Sequence, residues 1–252
     1  MCTLAIYFRV FPEWPVVLAA NRDEYFARPA SAPELLAERP RVIGGKDLKA
    51  GGTWLGINEH GVIAGLLNRR APDGADPSRR SRGLLCLDAL RCRTVTEALE
   101  LVRREDGAHY NPFNLLLASR GEAAVAYNRN SMIETAQLAP GLHLLTNLDV
   151  NDFECPKISR AYDQFAALAG DREFAADPIA NRAHLRRLLA DHATQLDARS
   201  PGPNAICLHL DGYGTRSSSM IFLASNRSHA AHFFAPGPPC VTEYQPGPLP
   251  FD

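Results

Sequence analysis

From Thr3 to Val10 the chain alternates Leu4, Ile6 and Phe8 with Ala5, Tyr7 and Arg9, a period of two that predicts a strand with two unlike faces. Pro12-Glu13-Trp14-Pro15 then turns the chain into the apolar run Val16 to Ala20, so an N-terminal β-hairpin is expected. A polar loop is expected from Asn21 to Pro40. After it come a short strand near Val42, a glycine-rich loop with Gly44-Gly45 and Gly51-Gly52, and a strand from Thr53 to Asn58. The tight turn Glu59-His60-Gly61 leads into a further strand, Val62 to Leu67.

From Gly83 to Arg104 the period changes. Leu84, Leu87 and Leu90, and then Val95, Ala98, Leu99 and Val102, recur at three and four, which predicts two helices, the second capped by Thr94 or Thr96. Strands return around Asn114 to Ser119, Ala123 to Tyr127 and Leu142 to Thr146. Helical spacing follows at Lys157 to Leu168 and Ala183 to Ala193, and then strands at Ala205 to Leu210, Ser218 to Ala224 and Ala230 to Phe234. Hairpin-linked strands with two separate helical blocks do not suit a parallel βαβ sheet. They suit an α+β fold, an αββα four-layer sandwich of two stacked antiparallel sheets flanked by helices. A single domain over residues 1–252 is expected, with a Pro-rich segment at 236–252 lying over the surface.

Composition narrows the class. A chain of 252 residues with 46% hydrophobic content can bury a core, and 27 Lys+Arg against 28 Asp+Glu leave no electrostatic footprint for nucleic acid. A small-molecule ligand or substrate is the expected partner; the oligomeric state is open. The apolar stretches Phe113 to Ser119 and Met220 to Ala224 fall far short of the roughly 20 residues that span a bilayer, so no transmembrane segment is expected. Cys2, Cys86, Cys92, Cys155, Cys207 and Cys240 form no CxxC pair and no zinc spacing, and no secretory signal is apparent; a reduced cytoplasmic protein without a metal is expected.

Cys2 has an unusual address. If Met1 is removed, Cys2 carries a thiol and a free α-amine whose reference pKa of about 7.7 to 8.0 suits general-base work, so nucleophile and base come from one residue. The end of the second hairpin strand returns close to the start of the first, which brings Arg22 and Asp23 of Asn21-Arg22-Asp23-Glu24 within reach of Cys2. Arg22 could then lower the thiol pKa and Asp23 could orient the ammonium. A charged turn with internal salt bridges is the alternative. Asn68 and Asn147, at strand ends, could donate to an oxyanion or simply serve turns. Arg216, in Gly212-Tyr213-Gly214-Thr215-Arg216, could hold an anionic group or be solvated.

Several blocks carry a resemblance: Met1-Cys2, Leu18-Ala19-Ala20-Asn21-Arg22-Asp23-Glu24, Gly51-Gly52-Thr53-Trp54-Leu55-Gly56, Leu145-Thr146-Asn147 and Tyr213-Gly214-Thr215-Arg216. In this order they closely resemble the NRDE family, named in eukaryotes for transport and Golgi organisation protein 2. More distantly the chain is similar to N-terminal nucleophile hydrolases of the choloylglycine hydrolase and penicillin V acylase type. That second resemblance implies the αββα fold and a site of Cys2, Arg22, Asp23, Asn68, Asn147 and Arg216, although Arg22 and Asp23 are adjacent here and Arg216 follows a Gly-Tyr-Gly loop.

Two functions are therefore expected in competition. One is an N-terminal cysteine nucleophile hydrolase that cleaves a carbon–nitrogen amide bond of a small acylated substrate and needs no cofactor. The other is a non-catalytic binding or trafficking protein of the same fold that carries haem or an acyl lipid. Cys155-Pro156 is a dipeptide seen at some haem-responsive sites, but Pro is also a common first residue of a helix. His229 and His232, three apart on an expected strand, point to opposite faces and are not expected to ligate together.

Overall fold

The computed structural model describes residues 2–69, 74–194, 204–226 and 229–251. Their contacts divide the chain into two compact units. One comprises Met1–Ala27, Pro140–Thr146 and Val150–Gly247, and the other Arg28–Ala139, Asn147–Asp149 and Pro248–Asp252. The chain opens with β1 (Thr3–Phe11) and β2 (Trp14–Tyr25) of the first unit. It then builds the second through β3 (Ala30–Glu38), β4 (Arg41–Asp47), β5 (Thr53–Asn58), β6 (Ile63–Asn68), α1 (Arg82–Ala89), α2 (Val95–Arg104), β7 (Phe113–Ala118), β8 (Ala123–Arg129) and β9 (Met132–Gln137). Back in the first unit follow β10 (Gly141–Leu145), α3 (Pro156–Ala169), α4 (Arg172–Ala176), α5 (Ala183–Leu189), β11 (Tyr213–Leu223), β12 (Ala230–Ala235) and β13 (Gln245–Pro246).

The first unit holds a six-stranded antiparallel sheet in the order β10-β1-β2-β11-β12-β13. The expected hairpin is present, with Leu4 opposite Ala20 and Ile6 opposite Leu18. Its first strand is buried on both faces, because Ala5 and Tyr7 are covered as fully as Leu4 and Ile6; the Tyr7 hydroxyl donates to the Phe165 carbonyl of α3 at 2.8 Å. The polar loop expected from Asn21 to Pro40 is instead largely strand. β2 runs on to Tyr25 because β11 supplies a second hydrogen-bonding edge along its whole length, and β3 follows. Pairing sets that conformation, whatever the polarity of the side chains.

The second unit is a seven-stranded antiparallel meander in the order β3 to β9. α1 packs on β5 and β6 and α2 on β7 to β9, burying Leu85, Ala89, Leu99 and Val102 with Phe113, Leu115 and Leu117. Thr94 caps α2 by accepting from the Glu97 N–H at 3.1 Å, a contact of about 1 kcal/mol. Gly44 and Gly45, expected in a loop, lie inside β4. Gly52 is where a side chain cannot fit, since a Cβ there would lie 2.1 Å from the Gly83 carbonyl carbon at the start of α1.

Ala205 to Leu210 does not form the expected strand. Its apolar residues are largely buried, but its backbone is satisfied irregularly: the Cys207 N–H donates to the Asp191 carbonyl at 2.9 Å and the Leu208 N–H to Thr215 Oγ1 at 2.9 Å. Burial produced the apolar pattern without a ladder. β9 and α4 have no counterpart in the sequence pattern. No helix among the described residues is long and apolar enough to cross a membrane.

Candidate active site

Thr3 pairs with Asn21 at the open end of the β1–β2 hairpin, so Cys2 falls beside Arg22 and Asp23. The Cys2 thiol is held on the backbone of Asp23: the Asp23 N–H donates to Sγ at 3.3 Å, and the S–H donates back to the Asp23 carbonyl at 3.6 Å. The Asp23 side chain is buried, its Oδ1 accepting from the Thr215 hydroxyl at 2.7 Å, while Tyr213 donates its hydroxyl to the Asp23 carbonyl at 3.3 Å. Arg22 is buried as well and lies 3.9 Å from the Glu24 carboxylate.

β11 reaches this corner through an irregular register. Thr215 stands opposite Asp23 and Ser217 opposite Arg22, which leaves Arg216 as the extra residue of a bulge, a device that re-aims side chains. Its guanidinium lies 5.8 Å from the centre of the Phe26 ring. Gly214 is required next to it, because a Cβ there would lie 2.5 Å from the Leu208 carbonyl oxygen. Asn21 secures the corner from below, donating its amide to the carbonyls of Leu189 at 2.8 Å and Ile206 at 3.0 Å and accepting from Ser218 at 2.7 Å.

Two further members of this corner are not among the expected site residues, although Tyr213 belongs to the Tyr213-Gly214-Thr215-Arg216 block. Lys157, in the first turn of α3, is fully buried; burial pulls its pKa down while the charges of Asp23 and a Cys2 thiolate push it back up. Tyr213 feels the same two groups, and burial raises its pKa. Lys157 sits one position beyond the Cys155-Pro156 pair but reaches the site only through the tertiary fold.

Burial and the neighbouring groups act on the thiol in both directions. Burial raises the Cys2 pKa above that of an ordinary thiol, and the charge of Asp23 adds to the rise. The Asp23 N–H and Arg22 both pull it down, and they do not win.

Cys2, Arg22 and Asp23 thus meet in the first unit, and Arg216 lies in the neighbouring bulge of β11 with its guanidinium over Phe26. Asn68 and Asn147 belong to the second, Asn68 as the exposed last residue of β6 opposite Phe113, and Asn147 as a half-buried residue whose Oδ1 meets no donor among the described residues. Cys155 is a buried residue at the N-terminus of α3, and Met1 lies outside the described residues.

This arrangement can be set beside known proteins. A Caenorhabditis elegans N-acylethanolamine-hydrolyzing acid amidase ortholog superposes with a TM-score of 0.55 at 13% identity, covering 87% of this chain and 92% of that one. Penicillin V acylase from Agrobacterium tumefaciens gives 0.54 at 15%, covering 93% and 83%. A conjugated bile acid hydrolase mutant from Clostridium perfringens gives 0.55 at 10%, covering 99% and 97%. These likenesses show the fold, the α+β class of the N-terminal nucleophile hydrolases. Sequence carries the assignment further: residues 1–234 match the Transport and Golgi organisation 2 profile, and the chain belongs to that family. A transport and Golgi organization protein 2 homolog from Bos taurus is 28% identical over 255 residues, spanning 86% of this chain and 87% of its own.

Proposed function

We propose that the chain, once Met1 is removed, is an N-terminal cysteine amidohydrolase cleaving a carbon–nitrogen amide bond of a small acylated molecule. The observation that carries this reading is the set of buried charges, Arg22, Asp23 and Lys157, gathered around a half-buried thiol. Burying a charge costs several kcal/mol unless it is compensated, roughly the scale that makes such clusters worth reading as sites. The fold likeness to two amide-cleaving acylases or amidases and a bile acid hydrolase supports the same reading.

In this mechanism the freed α-amine of Cys2 takes the thiol proton as Sγ attacks the substrate carbonyl carbon. The tetrahedral intermediate expels the amine, which receives that proton, and leaves a thioester on Cys2. Water, deprotonated by the same α-amine, hydrolyses the thioester. Arg22 favours the thiolate, Asp23 positions Cys2, and Arg216 supports the site.

The test is a panel of chromogenic acyl amides offered to wild type and Cys2→Ala, with intact mass read on both. The expected result is a wild-type chain lacking Met1, a transient acyl adduct on Cys2, and turnover abolished in Cys2→Ala. Retained Met1, or equal turnover in the two proteins, overturns the reading in favour of a non-catalytic carrier of an acyl lipid or haem.

A further inference from the structure

The lack of a zinc spacing in the linear sequence does not extend to three dimensions. Three separated segments of the first unit bring two thiols and two imidazoles together: His192 just beyond α5, Cys207 and His209 in the irregular stretch before β11, and Cys240 in the Pro-rich segment. Their ligand atoms all lie within 4.8 Å of one another. Cys207 Sγ is 3.7 Å from Cys240 Sγ and 3.7 Å from His209 Nε2, and His209 Nε2 is 3.2 Å from Cys240 Sγ. The His192 and His209 rings stand 5.1 Å apart, centre to centre.

We propose that His192, Cys207, His209 and Cys240 form a tetrahedral zinc site. A zinc ion with bonds of about 2.3 Å to sulfur and about 2.1 Å to nitrogen sets two sulfurs about 3.8 Å apart and a sulfur and a nitrogen about 3.6 Å apart. The three distances between Cys207, His209 and Cys240 match those edges to within a few tenths of an ångström. A set of two thiolates and two imidazoles selects zinc over the hard cations magnesium and calcium, and two thiolates neutralise its charge. Four protein ligands fill the tetrahedron and leave no position for water, which makes the site structural. The sulfurs lie far beyond a disulfide bond of about 2.05 Å.

The ion would clamp the end of α5, the stretch from Ala205 to Leu210 and the Pro-rich segment to one another. That stretch forms no strand and pairs with β11 through a single antiparallel bridge between His209 and Gly214. It is also tied to the candidate active site, because the Leu208 N–H donates to Thr215 Oγ1 at 2.9 Å and the Thr215 hydroxyl donates to Asp23 at 2.7 Å.

The experiment uses the full-length chain without an affinity tag, purified under reductant and loaded with zinc or cobalt(II). We expect one zinc per chain by elemental analysis, and a cobalt form with the intense visible bands of tetrahedral coordination and thiolate-to-cobalt charge transfer. His192→Ala, an exposed position whose replacement leaves the fold intact, weakens zinc retention against a chromophoric chelator at least about tenfold, the low end for disturbing a coordination shell. Cys240→Ser removes the charge-transfer band contributed by that sulfur. Cys2→Ala binds zinc as wild type does, so the metal reading and the amidohydrolase reading fail separately. Reduced wild type that takes up neither ion overturns the proposal. So does a natively purified chain in which Cys207 and Cys240 are oxidised to a disulfide and whose reduced form retains no more zinc than His192→Ala.

Discussion

The two units bury polar groups in different ways. In the second they are neutral: Thr53, Asn58, Asn114 and Asn128, with the asparagines spending their amides on backbone. Asn58 donates to the Leu90 and Cys92 carbonyls, Asn114 to that of Leu148, and Asn128 to those of Gly107 and Tyr110. In the first, the buried set includes Arg22, Asp23 and Lys157. A neutral amide tied to carbonyls holds loops on a sheet at little electrostatic cost, whereas a buried charge costs stability that a purely structural role does not return. The contrast separates a unit that is scaffolding throughout from one that gives up stability around Cys2.

The sharpest way to break that contrast is Asn58→Ala. Its side chain also accepts from the His60 and Val62 N–H groups, at 3.0 and 2.9 Å, so truncation strands the buried Leu90 carbonyl and Val62 N–H and releases the part-buried Cys92 carbonyl and His60 N–H. We expect a loss of about 4 kcal/mol by urea unfolding, the summed cost of leaving these groups unsatisfied. Iodoacetamide should label Cys2 at the wild-type rate under folding conditions. A changed rate would show that the second unit is not mere scaffold to the Cys2 chemistry.

The corner at Cys2 is half legible in the amino-acid sequence. A hairpin starting at Thr3 must return its second strand to the same end, and hairpin pairing alone places Arg22 and Asp23 beside Cys2. The helical repeats from Leu84 to Val102 are readable for the same reason, since local periodicity encodes which face is buried. Lys157 and Thr215 are not readable, because their partner Asp23 is distant in sequence and nothing local marks the encounter. β2 beyond Ala20 resembles a loop because its residues are polar; its conformation comes from pairing with β11. Likewise, Cys207 and Cys240 meet only where an irregular stretch folds against the Pro-rich segment, which no linear spacing records.

A smaller effect comes from the buried charges themselves. Lys157→Met removes the cation that offsets Asp23, and we expect a loss of about 3 kcal/mol, the usual scale for leaving a buried charge uncompensated. Asp23→Asn in the same chain removes the stranded charge while keeping an acceptor for Thr215, so the double variant should recover most of that loss. Urea unfolding of the two singles and the double forms the cycle, and strict additivity would show that Lys157 and Asp23 do not act as a pair.

The smallest effect, and the most specific to Cys2, is the pH dependence of its alkylation. The reactive form is the thiolate, so the labelling rate follows deprotonation, and an ordinary thiol reaches half its limiting rate near its reference pKa of about 8.5. In the chain that retains Met1, burial and Asp23 raise the Cys2 pKa, which moves the midpoint to higher pH. Asp23→Asn removes a negative charge that opposes the thiolate, so its midpoint falls back. Arg22→Gln removes a positive charge that favours the thiolate, so its midpoint rises further. Trimming Met1 places an ammonium on Cys2 itself and should lower the midpoint. Quantifying the Cys2 peptide by mass spectrometry across a pH series measures each shift. Were Asp23→Asn and Arg22→Gln to move the midpoint in the same direction, their effect would be one of altered access, and the charges buried in the first unit would have no claim on the thiol.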